Sequence, residues 1–126
     1  MPVLTQSPLV GDVVKYECNP NFTREVVTLL TGSIYEIGSV LGQITTGGKY
    51  KLSTDTGSDG AQVAAGVLIQ RVDASAGDAQ GLIVKRGPAL VADALLLFDA
   101  SVSDAPKKAA KRAQLVTLGI VPRVAV

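Results

Sequence analysis

The side chains that most often carry catalysis are nearly missing from this chain. Among its 126 residues there is no histidine, and Cys18 is the single cysteine. Without imidazole, neither a Ser-His nor a Cys-His nucleophilic site can be assembled, and zinc sites built on histidine are excluded. One cysteine makes neither a thiolate cluster nor an intramolecular disulfide, which fits a reducing compartment or assembly inside a cell. No electropositive surrounding marks Cys18 as an activated thiolate.

Three stretches approach known chemistry and fall short of it. Gly42 to Lys49 reads G-x-x-x-x-G-G-K, a phosphate loop with one residue too many. Tyr50 then stands where a magnesium-binding Ser or Thr is needed, and no helical pattern follows to aim amides at phosphate. A hairpin turn explains those glycines better. Asp55 to Gly60 begins like a calcium loop, but Gly57 replaces the second oxygen ligand and Gly66 stands where the bidentate glutamate belongs. Asn21-Phe22-Thr23 has the form of a glycosylation acceptor, which has meaning only in a secreted protein. Asp55, Asp59, Asp73, Asp78 and Asp104 fall in loops, the ordinary place for solvated turn residues rather than for a glycosidase pair. The chain is therefore not expected to be an enzyme, and no cofactor or metal is expected.

The elements that would have to position any site are those of one modest domain. Hydrophobic residues make up 47% of the chain but aromatic ones only 4%, with no tryptophan, so the core must come from Val, Leu, Ile and Ala. Stacking anchors for sugars or bases are limited to Tyr16, Phe22, Tyr35, Tyr50 and Phe98. A formal net charge of +1 gives no field that would draw nucleic acid or an anionic membrane. No apolar run approaches the roughly 20 residues that span a bilayer, and the N-terminus lacks the basic-then-apolar pattern of a signal peptide. A soluble protein is expected.

Residues 1–21 read as an extended arm, and residues 22–126 as a β-rich domain. Pro2, Pro8, Gly11 and the Asn19-Pro20-Asn21 turn break regular structure in the arm. Yet Val3, Leu4, Leu9, Val10, Val13, Val14 and Tyr16 are apolar and charge is sparse, so the arm needs a partner for side chains and backbone. Either it packs back on its own domain, or another chain supplies that partner.

From Phe22 onward the pattern predicts strands. They are Val26 to Leu30, Val40 to Thr45, Lys49 to Leu52 after a Gly47-Gly48 hairpin, and Ala61 to Val72 with a bulge or close contact at Gly66. Further strands follow at Gly81 to Arg86, Ala89 to Val91 beyond a Gly87-Pro88 turn, and near Leu95 to Phe98. One helix is predicted near the C-terminus, capped by Ser103 or Asp104, with Pro106 in its first turn and Gly119 as its stop. Ala109, Ala113 and Val116 form its apolar face, expected to rest on the sheet, with Lys107, Lys108 and Lys111 turned to solvent. A last strand follows at Leu118 to Val121. The fold class is mainly β, a β-clip-like small barrel with one short C-terminal helix and an extended N-terminal arm.

Several segments, in this order, resemble the head decoration proteins of tailed bacteriophages, the family typified by the phage lambda head protein D. They are Thr23-Arg24-Glu25-Val26-Val27-Thr28-Leu29, Gly38-Ser39-Val40-Leu41-Gly42 and Gly48-Lys49-Tyr50. After these come Asp59-Gly60-Ala61 leading into Ala64-Ala65-Gly66-Val67-Leu68, then Leu118-Gly119-Ile120-Val121-Pro122-Arg123 behind a Lys/Ala-rich helix. The Asp-Gly…Ala-Gly-Val-Leu segment is the strongest part.

The resemblance implies a homotrimer on three-fold positions of the outer capsid surface, cementing the mature shell, with the major capsid protein as partner. It also implies assembly in the host cytoplasm and no nucleic-acid or membrane partner. The arm would face the shell and add a strand to it. Its contact residues would be Val3, Leu4, Leu9, Val10, Val13, Tyr16, Phe22 and Arg24. The alternative is a virion-surface adhesion module that binds a host glycan or protein.

Overall fold

Alternating burial along β-branched runs sets the architecture. In β2 (Arg24–Leu29), Val27 and Leu29 turn inward while Val26 turns to solvent, the period-2 pattern of a strand with one buried face. The computed structural model describes residues 13–17 and 19–123. The chain folds as mainly β with one helix of length near the C-terminus, as its sequence predicts.

Five strands close into a barrel in the order β2, β5 (Tyr50–Leu52), β4 (Val40–Gln43), β6 (Ala64–Leu68) and β8 (Ala79–Val84). β2 runs antiparallel to β8 from Arg24↔Val84 to Leu29↔Ala79, and meets β5 in parallel at Leu29↔Tyr50. The predicted hairpin joins β4 to β5. Between β4 and β6 the register slips, Leu41 facing Gly66 but Gly42 facing Ala64. A β-carbon on Gly66 would lie 2.9 Å from the Val84 carbonyl oxygen, so both the bulge and the close approach expected there are present. A two-stranded ribbon, β3 (Ile34–Tyr35) with β7 (Val72–Asp73), lies outside the barrel ladder.

A second sheet lies beside the barrel: β1 (Val14–Glu17), β9 (Ala89–Ala92) and β10 (Ile120–Arg123). β1 is antiparallel to β9, whereas β10 is parallel to it from Ile120↔Ala89 to Arg123↔Ala92. Two glycines permit this closure. A β-carbon on Gly87 would sit 1.8 Å from the Gly119 carbonyl oxygen, and Gly119 itself takes a φ of 84° as it ends the helix.

Two hydrophobic clusters result. One fills the barrel with Val27, Leu29, Leu41, Tyr50, Leu68 and Ile83. The other lies between the barrel and the second sheet and includes Val13, Val40, Val67, Val91, Leu115 and Ile120. Short α1 (Pro20–Thr23) links β1 to β2, and α2 (Ala105–Thr117) packs on β6 and β10. The α2 cap is the one predicted: Asp104 accepts a hydrogen bond from the Lys107 amide at 3.0 Å.

Three expectations change. The boundary at residue 21 falls too late, because Val13 to Glu17 and α1 belong to the folded domain. No strand forms at Leu95 to Phe98; a single 3-10 turn, Asp93–Leu95, leads into a lone bridge between Ser39 and Leu97. The third change concerns α2, whose predicted faces are reversed. Lys111, 2% exposed, and Leu115 face the core, whereas Ala109, Ala113 and Val116 are exposed. Lys111 Nζ donates to the carbonyl oxygens of Thr54 (2.6 Å) and Gln62, and the Ala64 amide donates to Gln114 Oε1 at 2.7 Å. Buried polar groups persist where they are hydrogen-bonded, and here two backbone carbonyls hold the ammonium.

Candidate functional site

The residues expected to touch a partner divide into four groups. Val3, Leu4, Leu9 and Val10 lie outside the described residues. Val13 is fully buried in the second core, so in this structure it serves its own domain and is not open to another chain. Tyr16 and Phe22 are 55% and 56% exposed, large apolar rings left in water on the corner that joins β1 to β2. Arg24 is half-buried and already paired.

That corner is built by local rules. Asn19 caps α1, its side chain accepting from the Asn21 amide at 3.0 Å, and Pro20 takes the first helical position, where no amide hydrogen is needed. Across the turn, the Glu17 carboxylate receives Arg24 through both Nε (2.8 Å) and Nη2, and Thr23 Oγ1 at 2.6 Å. Burial works to raise the Glu17 pKa, but the hydrogen bonds from Arg24 and Thr23 outweigh it and hold the carboxyl below its ordinary value. Arg24 is thus a strut that fixes the corner. Beyond it, Glu25 pairs with Lys85 at 2.8 Å and Arg86 at 3.7 Å, and the Arg86 guanidinium stands 5.3 Å from the Phe22 ring centre. Of the two exposed rings at the corner, Phe22 is the one packed against a cation, Arg86.

Among the described strands, β1 pairs with β9 alone and forms one side of the three-stranded sheet. Residues 1–12 join the domain at Val13, which precedes β1 and is anchored in the core.

The near-motifs occupy ordinary structural positions. Lys49 pairs with Asp78 at 2.5 Å, and strand β5, rather than a helix, follows the glycines, so no amides converge as in a phosphate loop. Asp59 pairs with Lys51 at 2.8 Å and Asp55 with Lys107 at 3.7 Å. No group of three or more His, Cys, Asp or Glu side chains suited to a metal occurs among the described residues.

Sequence reasoning missed the Glu17–Arg24 strut, whose signal was opposite charges on either side of an Asn-Pro turn. It also missed a groove on the outer barrel wall lined by Val26, Gln70, Gln80, Gly81 and Leu82. Period-2 alternation in β2 and β8 marks Val26 and Gln80 as outward, and only the cross-strand pairing Val26↔Leu82 shows that they adjoin.

With this geometry in hand, comparison with known families gives one clear result. The family model described as Bacteriophage lambda head decoration protein D matches residues 3–120. No curated protein matches the chain.

Proposed function

This chain belongs to the bacteriophage lambda head decoration protein D family, and from that premise we propose that it binds the outer surface of a phage head as trimers at three-fold positions and stabilises the mature shell. Capsid decoration is the family's role; the trimer, the major capsid protein as partner and the cementing action are our reading. The observation that carries it is the extent of the match, which begins at residue 3 and so takes in the N-terminal segment together with the folded domain.

Physical reasoning supports the division of labour. Strand addition would supply backbone hydrogen bonds to the apolar segment of residues 1–12, which is sparse in charge. Linking three such segments in one trimer raises avidity on a shell that offers three equivalent sites. A protein that binds the expanded shell better than its precursor stabilises the expanded state by linkage. Assembly in the host cytoplasm suits a chain with one cysteine and no possible internal disulfide.

The test is electron microscopy of purified protein mixed with undecorated mature capsids. Density at the three-fold positions is expected, and shells that stay bare at saturating protein would overturn the reading. Deleting residues 2–11, which spares Val13 and β1, should abolish decoration. Its effect on domain stability should stay within about 0.5 kcal/mol by denaturant unfolding. Wild-type occupancy by the truncated protein would move the shell contact to the β domain.

A further inference from the structure

At the end of β2 remote from the Tyr16–Phe22 corner lies a recess of about 180 Å³, and we propose that it binds a neutral sugar ring. Its walls come from separate stretches of chain: Leu30 to Tyr35 after β2, Lys51 to Thr54 in and after β5, and Asp99. Sites for drug-sized ligands enclose roughly 300–1,000 Å³, so this one suits a single ring or the last unit of a glycan. Sugar binding goes beyond the shell contact proposed above and does not depend on it.

The walls are fixed before any ligand arrives. Asp99 Oδ2 accepts from the Ser101 amide at 3.1 Å and from its hydroxyl at 2.6 Å. The same Ser101 hydroxyl oxygen accepts from the Asp55 amide at 3.0 Å, which ties the 99–102 turn to the chain beyond β5. Tyr35, 3% exposed, donates its hydroxyl to the Leu30 carbonyl at 2.7 Å. The Thr54 carbonyl is held by buried Lys111 at 2.6 Å, and Lys51 is aimed by Asp59 at 2.8 Å. A site whose groups are already ordered loses less entropy when it binds.

Hydrogen-bonding capacity remains in the lining. Among the described residues, Asp99 Oδ1 and the hydroxyls of Ser33 and Thr54 take part in no hydrogen bond. A carboxylate accepts, a hydroxyl does either and an ammonium donates, which is the mixture that a ring of hydroxyls needs. Half-buried Leu30 and Leu52 offer apolar surface to the C–H face of such a ring. Charge selects against other small ligands. Asp59 balances Lys51, so Asp99 leaves the recess with a net negative charge that opposes carboxylates and phosphates. A cationic amine would meet Lys51 in the same recess, and an apolar molecule would leave the carboxylate and hydroxyls without partners. The recess also lies well away from the N-terminal corner. From Arg24 to Leu30 the chain advances about 20 Å at the rise of a strand, so a copy held on a shell by its corner keeps this end free.

The experiment is a backbone-amide NMR titration of the full-length chain with glucose, galactose, mannose and rhamnose in turn, and with galacturonic acid as an anionic control. At least one neutral sugar should shift the amides of Ser33, Thr54 and Ala100 together, with a Kd on the order of 1–10 mM for so small a ligand. Galacturonic acid should bind at least about tenfold more weakly, because its carboxylate meets Asp99. Asp99→Asn should weaken the neutral sugar about tenfold. Its remaining amide peaks should keep their wild-type positions, which separates a lost contact from a lost fold. Should Asp99→Asn perturb the fold, Ser33→Ala, on the opposite wall, gives the same reading. The proposal is overturned by no response to any of the neutral sugars, or by shifts scattered away from the recess. Tighter binding of galacturonic acid, or unchanged affinity in both variants, overturns it as well. The titration needs no shell, so a protein that binds sugar but leaves capsids bare counts against the capsid reading and not against this one.

Discussion

β1 and α2 come from opposite ends of the chain and cover the same core, yet α2 buries a lysine there beside Leu115 while the chain at β1 buries only an apolar residue. Just before β1, Val13 is driven fully inside, while Tyr16 within the strand is left out. In α2 a lysine goes inside and alanines are left out. Residue type alone decides neither outcome. Val13 is buried because β1 pairs with β9 and lays it over the second core. Lys111 is buried because two carbonyls of the 53–63 loop are placed to receive its ammonium. The pairing partner, more than hydrophobicity, sets which face an element at the margin of a core turns inward.

The comparison is most sharply broken at β1. Val13→Asp places an unpaired charge in a fully buried apolar site, and should cost more than about 3 kcal/mol in denaturant unfolding. Tyr16→Asp, three residues on and solvent-exposed, should stay within about 1 kcal/mol. Equal effects would show that β1 is not held on β9 as described, and that its residues behave alike as a free arm.

A second contrast lies in alkali. Burial lowers the Lys111 pKa below the ordinary lysine value of 10.5, opposed by nearby Asp55. Between that lowered value and 10.5 the unfolded chain holds a proton that the folded chain has released, so stability should rise with pH across this window. Lys85 behaves in the opposite sense. Its pair with Glu25 raises its pKa against the effect of burial, so its contribution is lost only as pH rises beyond 10.5. Chemical unfolding at a series of pH values, comparing wild type with Lys111→Met, isolates the first effect. A variant that tracks wild type through the window would place the Lys111 ammonium in water.

The smallest effect belongs to the Glu17–Arg24 strut. Glu17 has a folded pKa below its ordinary value of 4.5, so its stabilisation is present above that pH and is lost as pH falls through the lowered value. Glu17→Gln should cost at most about 1 kcal/mol at neutral pH, since Arg24 is partly exposed and the pair is screened. The difference from wild type should shrink towards zero in acid. A cost of several kcal/mol would mean that the β1–β2 corner depends on this pair as heavily as the core depends on Val13.

Much of the fold was legible because much of it is local. Gly47-Gly48 marks the β4–β5 hairpin, Gly66 the bulge opposite β4, and Asp104, Pro106 and Gly119 the ends of α2, each through contacts within a few residues or a backbone shape that glycine allows. The candidate site was less legible. Of the named contact residues within the described part of the chain, Tyr16 and Phe22 are exposed, Val13 is buried in the second core, and Arg24 pairs with Glu17. The strand expected at Leu95 to Phe98 failed for a related reason. Its apolar residues resemble a strand, but only Leu97 meets a partner, at Ser39, so no ladder forms.

By itself, the sequence determined that this chain lacks the means for imidazole or thiolate-cluster chemistry, that it folds mainly as β structure with one late helix, and where most turns and caps fall. These follow from composition and from interactions only a few residues long. Tertiary structure alone decided which side of α2 is buried, that Val13 to Glu17 belong to the domain, and that Val26 and Leu82 share a groove. The bonds behind the first of these join Lys111 to Thr54 and Gln62, 57 and 49 residues away. No periodicity within a 13-residue helix reports on carbonyls so distant, because their position exists only after the barrel has closed.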